Sequence, residues 1–321
     1  MARAGRRVHK RAMTIQSVDP PVAEEQAPSG DTLDGFLLAL TVYLMWGILP
    51  LYMKLVAHLP TVEVIAHRIL WSVPVALALL WWMGRLNDLK VALRSPRTIM
   101  QAAIAAAFIS VNWGIYVWAI SVDRTVETAL GYYINPLMTV LVGALLLGEK
   151  LSRVQMIAIA LAAVAVAILT WESGGLPWVS LALAATWCVY AFLKKTLPIG
   201  PAQGFLLEVI ILSVPAMACV VWFHATGNGH FFDRGGLEAL VLMGCGLVTA
   251  VPLILYANAA KRLTLSTIGV MQYIGPTLIF LLAVFVFKEP FSSTKLLAFS
   301  LIWVGLALYV GSILRGKFKR A

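Results

Sequence analysis

From Phe36 onward the chain alternates between long apolar stretches and short polar connections. Mainly apolar windows run over 35–56, 62–83, 98–120, 126–147, 152–171, 176–195, 202–223, 237–258, 266–287 and 294–314. About 20 such residues in a helix cross a hydrocarbon core of roughly 30 Å. The pattern therefore predicts an all-α integral membrane protein with ten transmembrane helices. Turn residues mark three of the connections, at His58-Leu59-Pro60, Ser173-Gly174-Gly175 and from Pro198 to Pro201. No polar segment between windows is long enough to form a second, soluble domain.

Residues 1–34 differ in kind. Arg3, Arg6, Arg7, Lys10 and Arg11 precede a stretch with Asp19, Pro20, Pro21, Glu24, Glu25 and Pro28. No apolar run follows the basic residues directly, so neither a secretory nor a twin-arginine signal is read. Low hydrophobicity with proline and mixed charge predicts a disordered cytoplasmic tail. A second, basic cytoplasmic tail is expected over 315–321.

Composition sharpens the class. Of 321 residues, 60% are hydrophobic and 12% charged, with a mean hydropathy of +0.86. Soluble domains carry about 25% charged residues, so an ordinary soluble enzyme, a disordered protein and a nucleic-acid binder are all excluded. The net charge of +10 is explained by topology. With a cytoplasmic N-terminus, inside segments hold 19 Lys and Arg, outside segments hold five, and Arg68 lies within a span. That bias obeys the positive-inside rule with both termini in the cytoplasm. Cys188, Cys219 and Cys245 stand alone in apolar runs and are read as buried thiols.

The chain also repeats itself. At a shift of 141, Trp46 meets Trp187, Lys54 meets Lys195, Pro60 meets Pro201 and Ser72-Val73-Pro74 meets Ser213-Val214-Pro215. At a shift of 140, Tyr116 meets Tyr256, Pro136 meets Pro276, Glu149 meets Glu289 and Ser152 meets Ser292. Two repeats follow, over 35–171 and 172–314. Each holds five spans, an odd number, so the second crosses the membrane in the opposite sense. Inverted repeats that rock about a site near the midplane give alternating access, which points to a secondary transporter.

Ionisable residues inside spans are costly and are functional candidates by default. Glu63, His67 and Arg68 lie near the outer end of the second span, and Glu208 lies about seven residues into the seventh, nearer the cytoplasm. One reading makes them gating or coupling groups. The other makes them structural ion pairs, Arg68 with Glu63 or Glu127 and Glu208 with Lys194 or Lys195, and makes His67 a packing residue. Trp46, Tyr52, Asn112, Tyr116, Tyr190, Tyr256 and Gln272 are candidates to line a cavity, although Trp and Tyr also populate interfacial belts. Asn135-Pro136 and Gly275-Pro276 read as matched helix breaks. The alanine pairs Ala158/Ala162 and Ala163/Ala167 read as helix packing. No Walker loop, HExxH or nucleophile elbow is present, so neither an ATP-driven pump nor an enzyme is expected. A lipid flippase or a passive solute channel is the alternative that shares the same spans.

Several blocks match a known family. They are Trp46-Gly47-Ile48-Leu49-Pro50 with Tyr52 and Lys54, Glu63 with His67-Arg68-Ile69-Leu70-Trp71-Ser72, and Asn112-Trp113. Leu130-Gly131-Tyr132-Tyr133-Ile134-Asn135-Pro136 and Gln272-Tyr273-Ile274-Gly275-Pro276 are the more specific ones. On these the chain resembles the EamA-type branch of the drug/metabolite transporter superfamily, and within it the RarD-like permeases. It departs from that pattern at Ala129, Ala191 and Lys194. The resemblance implies ten helices as two EamA repeats, a central cavity for a small-molecule substrate and a place in the bacterial inner membrane. No cofactor and no metal is expected; the expected partners are membrane lipid, the solute and protons as a coupling ion.

Overall fold

The computed structural model describes residues 32–86, 89, 93–147, 152–231, 236–260, 262–263 and 271–318. Ten helices account for most of them: α1 Leu33–Leu55, α2 Thr61–Trp82, α3 Pro96–Ser121, α4 Thr125–Leu147, α5 Arg153–Ser173, α6 Trp178–Thr196, α7 Pro201–Ala225, α8 Gly236–Ala260, α9 Ile274–Leu281 and α10 Ser293–Phe318. Every apolar window overlaps one of them. There is no strand among the described residues. Within the same residues α1, α2, α3, α5, α7, α8 and α10 are both long and apolar enough to cross a membrane, whereas α6 and α9 are apolar but shorter. The basic segment expected as a tail from 315 is helical as far as Phe318, within α10. The tail expected at the N-terminus lies, up to residue 31, outside the described residues.

Local chemistry sets the helix ends. Thr32, Ser95 and Ser152 cap α1, α3 and α5, each side chain accepting a backbone N–H from the first turn. In a reciprocal bond the Ser152 backbone N–H donates to the Gln155 side-chain oxygen at 2.8 Å. Its repeat mate Ser292 caps α10 by accepting from the Lys295 N–H at 3.1 Å. Pro50, Pro74, Pro136, Pro215 and Pro252 all lie inside helices. The expected break at Asn135-Pro136 is therefore absent, because α4 runs through it. Gly275-Pro276 falls in the first turn of α9, where a missing N–H costs nothing. The irregularity lies elsewhere: α9 widens into a π-turn over Leu282–Val286 before Lys288, which has a φ of 58°.

Neighbouring helices form a closed ring in the order α1, α8, α2, α7, α3, α6, α4, α9 and back to α1. The α5–α10 pair packs outside it, against α4. Exchanging each helix with the one five places along reproduces the same ring, read in the opposite direction. Close approaches hold its walls. A side-chain carbon on Gly246 would overlap the backbone of Trp71 and Ser72, which brings α8 onto α2; one on Gly131 would sit 2.9 Å from the Ser180 carbonyl oxygen, which seats α4 on α6.

The outside is apolar. Trp81, Trp82, Trp171 and Trp222, all near helix ends, are exposed, as a belt at the membrane interface requires. Ala158 and Ala162 are buried in the cluster with residues of α10, as expected. Ala163 and Ala167 instead line an outward groove of about 590 Å³ along α5. One residue further on is about 100° round the helix, enough to turn that pair from its packed face to the open one.

Candidate functional site

Two buried charges, Arg68 and Glu208, lie on α2 and α7, helices that pack against each other, and each is built differently. Arg68, on α2, is only 5% exposed. The Gly246 approach carries α8 close enough for the Arg68 Nε to donate to the Thr249 hydroxyl at 2.7 Å. That hydroxyl donates in turn to the Cys245 carbonyl, also at 2.7 Å. The guanidinium carbon lies 4.8 Å from the centre of the Trp113 ring on α3. The hydroxyls of Tyr116 on α3 and Tyr132 on α4 are within Coulombic reach of it. No carboxylate pairs with Arg68 among the described residues, and its Nη1 is buried without a hydrogen-bond partner.

The carboxylates expected to pair with Arg68 are engaged elsewhere. Glu63, 1% exposed, accepts both the backbone N–H and the ring Nδ1 of His230 at 2.7 Å. Glu127 binds Arg124 through two contacts of 2.5 and 2.8 Å. The Arg124 guanidinium in turn lies over the adjoining Trp118 and Trp178 rings, 5.6 and 5.4 Å from their centres. His67 stacks on Phe231 with 4.6 Å between ring centres, and neither of its ring nitrogens has a hydrogen-bond partner.

Glu208, on α7, is closed on both oxygens. Lys194 Nζ donates to Oε1 at 2.8 Å and the Tyr190 hydroxyl donates to Oε2 at 3.0 Å. Both partners come from α6, one turn apart, so one face of one helix satisfies the acid. The family-pattern departure at Lys194 thus falls on the residue that pairs with Glu208.

The aromatic and amide candidates divide among several groups. Trp46, Tyr43 and Tyr256 form one cluster across α1 and α8, with 5.5 Å between the Trp46 and Tyr256 ring centres. Tyr116, Tyr132, Trp187 and Tyr190 form a chain of ring contacts across α3, α4 and α6. Asn112 donates to the Leu183 carbonyl at 3.0 Å and to the Thr186 hydroxyl at 2.9 Å, a link from α3 to α6. The Tyr52 hydroxyl donates to the Val241 carbonyl at 2.5 Å. Gln272 precedes Tyr273, whose hydroxyl is buried without a hydrogen-bond partner, and Tyr273 stacks on Tyr133, whose hydroxyl meets that of Thr277 at 2.7 Å.

Polar contacts also gather at one end of the ring. Lys54 pairs with Asp123, and His58 with Glu238. Glu289 accepts the backbone N–H groups of Thr125 and Val126, at 2.7 and 2.8 Å. It thereby caps the start of α4, where an anion is favoured. Its repeat mate Glu149 lies outside the described residues. Sequence patterns alone did not single out Thr249 or His230, and marked Tyr132 only as part of a family block. Glu289 carried a signal, its match to Glu149, without an indication of its role.

Comparisons with known proteins agree with the motifs. Residues 33–171 match the model of the EamA-like transporter family. Protein RarD of Streptomyces exfoliatus is 40% identical over 281 residues, covering 88% of this chain and 89% of that protein. The uncharacterized transporter YojE of Bacillus subtilis is 38% identical over 297 residues, covering 91% and 97%. The chloramphenicol-sensitive protein RarD of Pseudomonas aeruginosa is 30% identical over 278 residues, covering 85% and 92%. A crystal structure of another protein, 21% identical, superposes with a TM-score of 0.56 over 85% of this chain and 96% of its own, a likeness of fold alone. With such relatives spanning most of its length, the chain belongs to the RarD-like group of the EamA family in the drug/metabolite transporter superfamily, membrane transporters of small solutes.

Proposed function

We propose that this protein is a secondary transporter that moves one small solute through the ring interior by alternating access. Its ten helices form two inverted five-span repeats, with both termini in the cytoplasm of a bacterium and the spans in its inner membrane. The observation that carries this reading is the ring order. An exchange axis along the membrane normal would keep the direction of the ring, whereas an axis in the membrane plane reverses it. Exchanging α1–α5 with α6–α10 reverses it, which supports two halves of opposite sense able to rock about a shared centre.

The interior supplies the working groups. Arg68 lies toward one end of the pathway and Glu208 toward the other, with the aromatic rings of α1, α3, α4, α6 and α8 between them. Glu208 is the group to couple proton movement to transport, because its bonds to Lys194 and Tyr190 bridge two helices that opening would separate. His67, with no hydrogen bond to hold it, belongs to the gate around Phe231.

Two experiments test this. Reporter fusions after Arg97 and after Gly174 should read cytoplasmic and external, respectively; the same side for both overturns the inverted arrangement. For transport, the purified chain in liposomes should catalyse saturable counterflow of a solute chosen by thermal-shift screening. Chloramphenicol, the compound in the name of the Pseudomonas relative, is the first to try. Non-saturating flux would make the protein a channel, and lipid scrambling without counterflow would make it a flippase. With an established substrate, Glu208→Gln should bind it normally while transport no longer responds to a pH gradient.

A further inference from the structure

Arg68 is a charge without a counter-charge among the described residues. Buried ions are ordinarily paired and fully hydrogen-bonded, because an unpaired one is expensive to hold away from water. Here the acids of α2, α4 and α7 are engaged: Glu63 by His230, Glu127 by Arg124 and Glu208 by Lys194. The fold itself does not require an arginine at this place. In the register set by Ser72-Val73-Pro74 and Ser213-Val214-Pro215, its counterpart on α7 is Val209, fully buried in the core.

The guanidinium is nevertheless held firmly. Thr249 fixes Nε and Trp113 covers one face, which leaves the Nη1 donors aimed at nothing. The Tyr116 hydroxyl, on the neighbouring helix α3, is also buried and unpartnered. Tyr116 follows Trp113 by three residues, about one turn, so the covered guanidinium and this hydroxyl meet the same stretch of α3, two donor groups and one positive charge with no acceptor among the described residues. The surrounding surface is aromatic, from Trp113 through Tyr116 and Tyr132 to Trp187.

We propose that Arg68 and Tyr116 form an anion-binding site for the carboxylate of a small organic acid with an apolar body, and that this acid is the transported solute. A single positive charge matches a monoanion; a dianion would bury one negative charge unmatched. Nη1 and the tyrosine hydroxyl supply charge-assisted hydrogen bonds to the two carboxylate oxygens, and the aromatic rings take the apolar body. The anion-site assignment stands on these residues, while its use in transport rests on the transporter reading above.

The test uses the purified full chain in detergent and follows its thermal unfolding with benzoate, benzamide or chloride at matched ionic strength. Benzoate should raise the unfolding temperature saturably, and benzamide and chloride should not. Arg68→Lys and Tyr116→Phe should each weaken the benzoate response by about tenfold or more. Arg68→Gln without any added acid should unfold at or above the temperature of the parent, since it removes an unpaired buried charge. A clear drop in that temperature, with Tyr116→Phe leaving the benzoate response intact, would make Arg68 structural and overturn the proposal. Equal shifts from chloride and benzoate would mean a site for inorganic anions only, and no shift from benzoate would remove the site. If Arg68→Gln does not fold, Arg68→Lys and Tyr116→Phe decide alone. Counterflow separates the two readings: benzoate binding without counterflow of any solute overturns the transporter, whereas counterflow of a neutral solute without a benzoate response overturns the anion site.

Discussion

Arg68 and Glu208 sit two turns into helices that pack against each other, yet their surroundings are opposites. Glu208 has a cation on one oxygen and a hydroxyl donor on the other, at 2.8 and 3.0 Å. Arg68 has one hydroxyl acceptor, one aromatic face and a buried nitrogen with no partner. A buried charge that is fully satisfied contributes to the fold as found, and its bonds must break for the helices to part. A buried charge that is half satisfied is a cost the fold carries, and its remedy must come from a molecule that arrives. Two buried charges, each two turns into its own helix, are therefore read as two different parts, a latch and a binding group.

The sharpest way to break this contrast is to remove one partner from each centre and compare stabilities. Lys194→Met leaves the Glu208 carboxylate buried with only Tyr190 beside it. Stripping one partner from a buried pair costs about 3–5 kcal/mol, so chemical or thermal unfolding in detergent should register a large loss. Adding Glu208→Gln to Lys194→Met should recover most of it, because the uncompensated charge is then gone. Arg68→Met should by contrast cost almost nothing or stabilise. If Arg68→Met is as damaging as Lys194→Met, the two centres are alike and the distinction fails.

The two centres also differ in how far they were legible along the chain. Each of the ten helices described above overlaps an apolar window, because a bilayer demands long hydrophobic segments and leaves few alternatives. Glu208 and Lys194 were recognisable as partners, since they lie on consecutive helices joined by a short connection. The partners of Arg68 were not. A search by charge points to Glu63 and Glu127, whereas the structure uses neutral groups on other helices: Thr249, which carries no pattern in sequence, and Trp113, which a family block marks without linking it to Arg68. His230 was hidden for the same reason, lying in the connection after α7. Proline was misleading too: Pro136 reads as a break but stays inside α4, where neighbours within a packed membrane bundle tolerate the lost bond.

Glu289 offers a third case that sharpens the comparison, an acid satisfied by backbone alone. Its oxygens accept two N–H groups at the start of α4. Glu289→Gln keeps one acceptor and loses both the charge and the second bond. The expected loss is about 1–2 kcal/mol, smaller than for Lys194→Met because no ion is left unpaired. Unfolding measured beside the Lys194 variants checks the order; a larger loss at Glu289 would mean that the capping contact, and not the ion pair, dominates stability.

The smallest predicted effects are the most discriminating, because they compare one atom in two places. Tyr190 and Tyr116 each lie beside a buried charge, and phenylalanine removes only the hydroxyl from either. The Tyr190 hydroxyl donates to Glu208, so Tyr190→Phe should cost about 1.5 kcal/mol, the lower end for a bond to a charged group because Lys194 still holds the other oxygen. The Tyr116 hydroxyl is buried with no partner, and removing an unsatisfied polar group is neutral or slightly stabilising. Tyr116→Phe should therefore leave the unfolding temperature unchanged or raise it slightly, even as it weakens carboxylate binding. Stability and binding then move independently at Tyr116 and need not at Tyr190. A loss of stability in Tyr116→Phe equal to that in Tyr190→Phe would show that the Tyr116 hydroxyl is already satisfied within the protein, and the acceptor it is argued to await would not be needed.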